Sequence, residues 1–293
     1  MADVEVKTWV RDLAPGHLVD STFAVLRKDL RRARTGTPFL SLELGDRTGR
    51  VRAVCFDDVA LLDGRFAQGD TVRVLGAVEE YRGRVQVVVR SVERVEDGDP
   101  LLYVPGARRD TEDLEGFLEF LIAEVHDSTL RSLVEAVYAA ARFRPLMRHA
   151  PVTMDAHHAY AGGAIQHTVA VATVCREVCQ LHPRLDESVV AAGALTFCVG
   201  AADAFLPGAA LQLGEEGRLL GIPLLSVRRV EREAQRVRTP RERLLPLVHA
   251  IAGGRARTAE AAALQAAIAL DAGVVAALQG PPAARAETAP RPL

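Results

Sequence analysis

The sequence predicts a multidomain α and β protein, in which a small five-stranded β-barrel is followed by an all-α domain. In the first third of the chain, short segments of alternating apolar and polar residues are separated by turns of Gly and Asp, which is the pattern of a small all-β unit. From residue 111 onward, apolar residues recur at the spacing of helices. We therefore predict a barrel domain in residues 1–95, a linker in 96–110 and a helical domain in 111–279.

Composition predicts the linker and the end of the chain. Residues 96–110 include Asp-Gly-Asp-Pro and Val-Pro-Gly-Ala, which are turn signals. Residues 280–293 carry four prolines and no apolar periodicity, so we predict a disordered tail there.

The overall composition is that of an ordinary soluble globular protein, with 49% hydrophobic and 25% charged residues. A net charge of −2 gives no global indication of nucleic-acid binding, so such a function must depend on local clusters of charge. We find no secretory signal, and no uninterrupted apolar run approaches about 18 residues, so we expect no membrane span. The four cysteines form no C-x-x-C pair, and we expect a reduced, cytoplasmic protein.

Five strands are predicted in the barrel domain, with a connection through Leu62 and Phe66 between the third and the fourth. They are Thr22–Leu26, Pro38–Leu44, Arg50–Phe56, Thr71–Glu80 and Arg84–Val92. Five strands in about 75 residues with such a connector fit an OB-fold. The strings TGTPFLSLELGDRTGRVRAVCFDD and GDTVRVLGAVEEYRGRVQVVV also resemble OB domains of the tRNA-anticodon type.

Strand alternation assigns side chains to the two faces of the second and third strands. The inward residues are predicted to be Leu40, Leu42, Leu44, Val51, Ala53 and Cys55. The outward residues are predicted to be Phe39, Ser41, Glu43, Arg50, Arg52, Val54 and Phe56. OB-folds bind oligonucleotides on this outer face.

The outer face therefore predicts a site for single-stranded RNA or DNA. Phe39 and Phe56 would stack on bases, at about 1–3 kcal/mol per base, and Arg50 and Arg52 would contact the backbone. A basic loop between the first two strands is predicted from Arg27, Lys28, Arg31, Arg32 and Arg34. The Tyr81-Arg82 turn adds an aromatic ring beside a cation. In the alternative interpretation, these arginines only solubilise the strands and the barrel binds another protein.

Helical periodicity begins at Thr111, a candidate N-cap, and Asp127 or Ser128 is predicted to cap the next helix. Residues 201–214 are predicted to form a loop. The later elements are predicted to be a charged amphipathic helix over Val227–Arg238 and two further helices over 241–253 and 258–279.

The stretch from His157 to Gly200 contains two apolar helical segments joined by a short turn. Its string Gly162-Gly163-Ala164-Ile165-Gln166-His167-Thr168 resembles the GGLLEHT-like string of the HD-domain phosphohydrolases, and more narrowly of the YhaM-type 3′→5′ exoribonucleases. Arg148-His149-Ala150-Pro151 matches the Arg-x-Ala-Pro lead-in of that family. The resemblance implies an OB domain followed by an HD domain, and a metal-dependent exonuclease that acts on single-stranded RNA and some DNA.

The family's metal ligands are largely replaced in this chain. The dyad His-Asp corresponds to Phe197 and Cys198, a later histidine to Ile222, and a later aspartate to Ile268. Phenylalanine has no lone pair, and cysteine is a soft ligand that suits hard cations poorly. The residual candidates for metal-binding or catalytic residues are His167, His158 and Asp271. Weaker candidates are His157, His249 and Asp203.

Three hypotheses follow for the function. The first is a catalytically inactive single-stranded RNA-binding protein, with a helical domain for structure or homo-oligomerisation and no cofactor. The second is a divergent exoribonuclease in which His157, His158, His167, Asp203 and Asp271 surround a divalent metal, Mn or Mg. The third is a protein-interaction adaptor.

Overall fold

A computed structural model describes residues 7–95, 102–103, 111–140 and 143–279 of the chain. The chain divides into two compact units, Met1–Gly106 with Pro207–Gln212, and Ala107–Leu206 with Leu213–Leu293. Most of the predicted linker 96–110 and the whole predicted tail 280–293 lie outside the described residues.

The first unit is a closed barrel of five strands in the order β1-β2-β3-β5-β4, which confirms the predicted OB-fold. The strands are β1 (Leu18–Arg32), β2 (Pro38–Asp46), β3 (Gly49–Cys55), β4 (Thr71–Tyr81) and β5 (Arg84–Val95). β3 and β5 run parallel, and the other neighbours are antiparallel. A short helix, α1 (Val59–Asp63), lies in the connection between β3 and β4.

Strand β1 is much longer than the predicted Thr22–Leu26. Its first half pairs with β4 and its second half with β2, and the register shifts between Val25 and Arg27. The predicted basic loop is therefore wrong. Its residues Arg27, Lys28, Arg31 and Arg32 all lie on β1, and Arg34 alone lies in the turn that follows. The backbone hydrogen bonds to β2 extend the strand regardless of the polarity of its side chains.

The barrel core contains the predicted inward residues of β2 and β3. Leu40, Leu42, Leu44, Val51, Ala53 and Cys55 are all buried. Two residues of the outer face depart from the prediction, because Ser41 and Val54, which pair across the two strands, are buried as well. The part of this face at Ser41 and Val54 is therefore closed to solvent.

The second unit is helical, as predicted. Its helices are α2 (Thr111–Ala123), α3 (Ser128–Ala139), α4 (Phe143–His149), α5 (Gly163–Leu181), α6 (Glu187–Thr196), α7 (Ala201–Ala204), α8 (Glu215–Val237), α9 (Arg241–Ile251) and α10 (Ala259–Gln279). The side chain of Asp127 accepts a hydrogen bond from the Leu130 N–H and so caps α3, and Asp186 caps α6 in the same way at Val189.

Two predictions about this region were wrong in their bounds. The predicted loop 201–214 contains α7 and two short strands, β6 (Phe205–Leu206) and β7 (Gln212–Leu213). The charged helix predicted over Val227–Arg238 is the second part of the longer α8, which is interrupted at Gly221 with φ 73° and ψ 165°. Gly221 and Pro223 mark the break between the two helical segments of α8, because both residue types normally end a helix.

Candidate functional site

The aromatic pair predicted on the outer face of the barrel is present. Leu40 pairs with Cys55 across β2 and β3, so the next residues, Phe39 and Phe56, are neighbours at one end of the two strands. Their ring centroids lie 5.6 Å apart at an interplanar angle of 33°. Phe56 is 52% exposed, so part of its ring is accessible to a ligand.

Arginines lie on both strands that neighbour β2. Arg31 of β1 pairs with Phe39 in the strand ladder, which places a cation beside the rings. On β3, Arg50 and Arg52 are exposed, and the Arg50 guanidinium lies 3.6 Å from the carboxylate of Glu43. From Arg50 to Phe56 the face extends for about 20 Å, given the rise per residue of a strand.

The basic residues on β1 are partly neutralised by one acid. The Asp29 carboxylate lies 3.0 Å from the guanidinium of Arg27 and 3.1 Å from that of Arg31. Arg32 donates a hydrogen bond to the carbonyl of Gly36 at 3.3 Å, and Arg34 is exposed in the turn. The restraint by Asp29 is not predicted from the sequence, because the basic run is expected there in a loop.

The hairpin between β4 and β5 carries the predicted Tyr81 and Arg82. Arg82 and Gly83 both have positive φ, at 54° and 76°, which produces a tight turn. The Arg82 guanidinium lies 5.2 Å from the centre of the Tyr81 ring. Because β5 runs parallel to β3 with Gln86 beside Arg52, this turn lies toward the Arg50 end of the face.

In the helical unit, two histidines converge on one carboxylate. His158 Nε2 lies 2.7 Å from Asp271 Oδ2, and His167 Nδ1 lies 2.6 Å from the same oxygen. The other ring nitrogen of His158 lies 2.8 Å from the hydroxyl of Tyr160. Both histidines are buried. We call His158, His167 and Asp271 the histidine–aspartate cluster.

The glycine pair before α5 explains how these residues meet. Gly162 has a φ of 78°, in the left-handed region that favours glycine, and it precedes the first turn of α5. A Cβ atom on Gly163 would lie 2.3 Å from the carbonyl oxygen of His158. The absence of that atom lets the His158 segment pack directly against α5, which carries His167. His158 itself has a φ of 51°.

Burial and hydrogen bonding set the charges of the cluster. Burial would raise the pKa of Asp271, but the hydrogen bonds with His158 and His167 outweigh it and hold this pKa well below its usual range. Burial lowers the pKa of His167 despite the hydrogen bond with Asp271. Burial also lowers the pKa of His157, and the nearby His167 and His158 lower it further. The cluster therefore contains an ionised Asp271 beside a neutral His167 at neutral pH.

The four positions that the resemblance assigns to lost metal ligands carry three apolar side chains and one buried cysteine. The ring of Phe197 packs edge-on against His167, with centroids 5.1 Å apart. Ile222 and Ile268 pack against the helical core. Cys198 is buried, and burial raises the pKa of its thiol to about 12.

Two weaker candidates do not join the cluster. Asp203 forms an ion pair with Arg229 at 2.5 Å, and the Arg229 guanidinium lies 4.5 Å from the centre of the Phe143 ring. His249 Nε2 accepts a hydrogen bond from the backbone N–H of Arg257. Tyr160 was not predicted as a site residue, although its position two residues after His158 could have indicated the contact.

The cluster has donor atoms for a single transition ion. One donor atom each from His158, His167 and Asp271 lies within 4.8 Å of the others. Two imidazoles and one carboxylate suit Mn²⁺, Fe²⁺ or Zn²⁺, whereas Mg²⁺ prefers oxygen ligands. The cluster therefore fits one transition ion held by three ligands, and Phe197 offers no fourth.

Comparison with known proteins agrees with this architecture. A family model described as an OB-fold nucleic acid binding domain matches residues 23–95. A protein named 3′-5′ exoribonuclease YhaM from Geobacillus sp. is 24% identical over 223 residues, covering 75% of this chain and 68% of the relative. The protein of that name from Bacillus subtilis is 24% identical over 248 residues, covering 80% and 76%. The resemblance to the YhaM-type family is confirmed.

Two solved structures are each similar to about a third of this chain. The second OB-fold domain of replication protein A from Methanococcus maripaludis is 22% identical and covers 32% of this chain and 99% of that one, with a TM-score of 0.26. A mitochondrial single-stranded DNA binding protein from S. cerevisiae is 10% identical and covers 29% and 100%, with a TM-score of 0.24. The assignment of the barrel as a nucleic-acid-binding OB-fold rests on the family model and on its own topology.

Proposed function

We propose that this protein binds single-stranded RNA along the outer face of β2 and β3, and that it is a catalytically inactive relative of the YhaM-type exoribonucleases. The observation that carries the proposal is the Phe39–Phe56 ring pair, with Arg31 beside it and Arg50 and Arg52 along the same face. Aromatic rings stack on bases of any sequence, and arginines follow the phosphates, so this surface suits single strands.

The binding experiment is fluorescence anisotropy with a labelled single-stranded RNA at several salt concentrations. We expect the double variant Phe39→Ala/Phe56→Ala to lose about 1–3 kcal/mol of binding free energy for each base that no longer stacks. The variant Arg50→Ala/Arg52→Ala should weaken binding and reduce the salt dependence, since fewer counterions are released.

The matched control is Arg73→Ala. Arg73 lies on β4, across the barrel from β2 and β3. Its guanidinium lies 2.8 Å from the carboxylate of Asp20 on β1. The Arg73→Ala substitution therefore removes one arginine from the same barrel and leaves the proposed face unchanged. If Arg73→Ala weakens binding as much as the Arg50/Arg52 variant does, the RNA contacts the barrel by general charge and the proposed face is wrong.

The inactive assignment is supported by the environment of His167. The edge of the Phe197 ring contacts this histidine at the place where the family's dyad is expected, and Ile268 occupies the position aligned with a family aspartate. The three candidate metal ligands also form hydrogen bonds with one another, because both imidazoles can donate to the Asp271 carboxylate.

A second candidate function is divergent 3′→5′ exoribonuclease activity with one divalent ion. It is favoured by the convergence of His158, His167 and Asp271 within 4.8 Å, and these residues would hold the ion. A bound ion of this kind polarises a phosphoryl oxygen and makes hydroxide available near neutral pH. Asp271, ionised in the cluster, would supply the negative charge of the ligand set.

One gel separates the two functions. The protein is incubated with 5′-labelled single-stranded RNA and Mn²⁺, and both retention and shortening of the RNA are measured. Retention without shortening supports the inactive binder. A ladder of shortened RNA that disappears in His167→Ala and Asp271→Asn would overturn it in favour of the enzyme. Metal analysis of the same purified protein provides a readout that is independent of activity.

A further inference from the structure

Cross-strand pairing arranges the outer face of β1, β2 and β3 in three rows. Because side chains on one face of a strand recur every second residue, neighbouring rows lie about 7 Å apart. In order along the face, the rows are Arg31–Phe39, Asp29–Ser41–Val54 and Arg27–Glu43–Arg52. The first row, with Phe56 beside it, is the aromatic part of the proposed RNA-binding face. We call the third row the Glu43 row.

The middle row separates two parts of the face that are open to a ligand. Ser41 and Val54 are buried. Phe56 is 52% exposed on one side of them, and the side chain of Glu43 is 40% exposed on the other. From Phe39 to Glu43, strand β2 rises by about 13 Å. This distance exceeds the rise of about 3.4 Å between neighbouring nucleotides of a helical strand, so the two parts of the face contact different nucleotides.

Glu43 is the only acid among the outward residues of β2 and β3, two strands that the structure describes from end to end. Its neighbours in the ladder are Arg27 and Arg52, and the Arg50 guanidinium lies 3.6 Å from its carboxylate. That distance is longer than a hydrogen bond. Arg27 is paired with Asp29 instead, at 3.0 Å. The ion pair with Arg50 therefore leaves both oxygens of Glu43 able to accept hydrogen bonds from a ligand.

A carboxylate in the middle of a cationic face points to a contact with a base. Its charge repels phosphate groups, so it opposes the contacts that the arginines make with the backbone. The amino and ring N–H groups of bases are donors, and a carboxylate accepts hydrogen bonds from them. Single-stranded RNA exposes these groups, because its Watson–Crick edges are unpaired. The chemistry of the Glu43 row thus fits the edge of an unpaired base.

We propose that Glu43 reads a guanine base, which rests on the RNA binding proposed above and gives that binding a preference for strands that contain guanine. Guanine presents its N1–H and N2–H groups side by side, and these donors match the two oxygens of one carboxylate. Its O6 atom, next to N1, is an acceptor and matches the guanidinium of Arg50 beside Glu43.

The other three bases match the Glu43 carboxylate less well. Adenine and cytosine place an acceptor nitrogen directly beside their amino group, and this acceptor would face one of the carboxylate oxygens. Uracil has a single ring N–H between two carbonyl oxygens, so a carboxylate that accepts from it lies close to a second acceptor. Only guanine therefore offers two adjacent donors on one edge.

Fluorescence anisotropy of the full chain with labelled oligouridines of about 12 nucleotides tests the proposal. Each oligonucleotide carries one guanosine, adenosine, cytidine or inosine at the same internal position. We expect the guanosine strand to bind at least about fivefold more tightly than the adenosine or cytidine strand, which is the lower end for a bidentate contact to a base. Inosine, which lacks the N2 amino group, should bind with an affinity between those of guanosine and adenosine.

Glu43→Gln keeps the shape of the side chain but replaces one acceptor oxygen with a donor. We expect this variant to lose the preference for guanosine and to bind oligouridine at least as tightly as the wild type, because a negative charge has left the face. Glu93→Gln is the matched control. Glu93 is exposed on β5 and pairs with Arg73 of β4, so its change removes the same charge from the barrel and should retain the preference. Circular dichroism establishes that each variant is folded.

Three results would overturn the proposal, and each has a different meaning. Equal affinity for the four substituted strands would leave RNA binding in place and show that Glu43 does not read a base. A uniform gain in affinity in Glu43→Gln, with the guanosine preference retained, would mean that Glu43 only neutralises the nearby arginines. The absence of binding to every oligonucleotide would overturn the proposed function, and this inference with it.

Discussion

Arginines serve different purposes in the two units of this protein. In the helical unit, four of them form close ion pairs with carboxylates at 2.5–2.6 Å, namely Arg144–Glu119, Arg148–Glu115, Arg229–Asp203 and Arg243–Asp186. On the outer face of the barrel, Arg50 lies 3.6 Å from Glu43, and Arg27 and Arg31 share Asp29. These four pairs of the helical unit join different helices, whereas the arginines on the outer face of β1–β3 are held more loosely, so a phosphate can compete for them.

The same contrast applies to the two candidate sites. The proposed barrel site consists of exposed and half-buried side chains, each of which is expected to contribute separately to binding. The histidine–aspartate cluster is buried and depends on one shared oxygen of Asp271. Substitutions should therefore alter affinity in the barrel and stability in the helical unit.

The largest effect is expected for Asp271→Ala. This change leaves two buried imidazoles without their acceptor, which should lower the free energy of unfolding of the helical unit by roughly 2–5 kcal/mol. Urea titration followed by circular dichroism measures the loss. Asp271→Asn retains an acceptor oxygen and should cost less. Equal stability of the Ala variant and the wild type would mean that the cluster does not stabilise the fold.

The next largest effect is expected for Gly163→Ala. The added Cβ would lie 2.3 Å from the His158 carbonyl oxygen, so the His158 segment must shift, at a cost of about 1–3 kcal/mol. Gly116→Ala in α2 is the control, because its Cβ would meet no atom within 4 Å and should stabilise the helix by roughly 0.5–1 kcal/mol. The same urea titration compares the two. If both variants gain stability, the close approach is not a constraint.

A smaller, pH-dependent effect is expected at Asp186. The hydrogen bond from Arg243 lowers the pKa of this carboxyl, while burial opposes it. The folded-state pKa lies below the unfolded value of about 3.9, so the stabilisation is complete above that value and is lost as the pH falls through the folded pKa.

The contribution of Asp186 should be below about 1 kcal/mol, because its side chain is 40% exposed. Unfolding free energies measured between about pH 5 and about pH 2 should fall less steeply in Asp186→Asn, which keeps the helix cap. An identical pH profile in wild type and variant would mean that the Asp186–Arg243 ion pair does not contribute to stability at acid pH.

The smallest effect is a gain in RNA affinity from Asp29→Asn. Releasing Arg27 and Arg31 from their shared acid should improve binding by about 0.5 kcal/mol, roughly twofold, and make the salt dependence steeper. Anisotropy titrations measure both quantities. Asp20→Asn removes the carboxylate beside Arg73 on β4 and should change neither. A gain in the control alone would place the RNA on the opposite wall of the barrel.

The sequence predicted most of the barrel, because strands with one buried face alternate in polarity. Leu40, Leu42 and Leu44 are clear examples. The prediction failed on β1, where Lys28 is half-buried and donates hydrogen bonds to the carbonyls of Asp63 and Phe66. A lysine at such a position interrupts the alternation, and its acceptors lie more than 30 residues away in the chain.

The candidate site was predictable only where a local string carries it. His167 follows the glycine pair, and Asp271 lies three residues after Ile268, the position that corresponds to a family aspartate. That Asp271 joins His158 and His167 depends on packing between α10 and α5, more than 100 residues apart. The exclusion of Asp203 depends likewise on Arg229, which follows 26 residues later and could not be assigned to it from spacing.

The hydrogen bonds among His158, His167 and Asp271 bear on why residues are retained during evolution. If removing any one of them costs folding stability, selection for a folded chain is sufficient to retain all three after a hydrolytic role has ended. If the proposed loss of activity is correct, the three residues are a record of packing, and replaced neighbours such as Phe197 carry more information about activity than the histidines that remain.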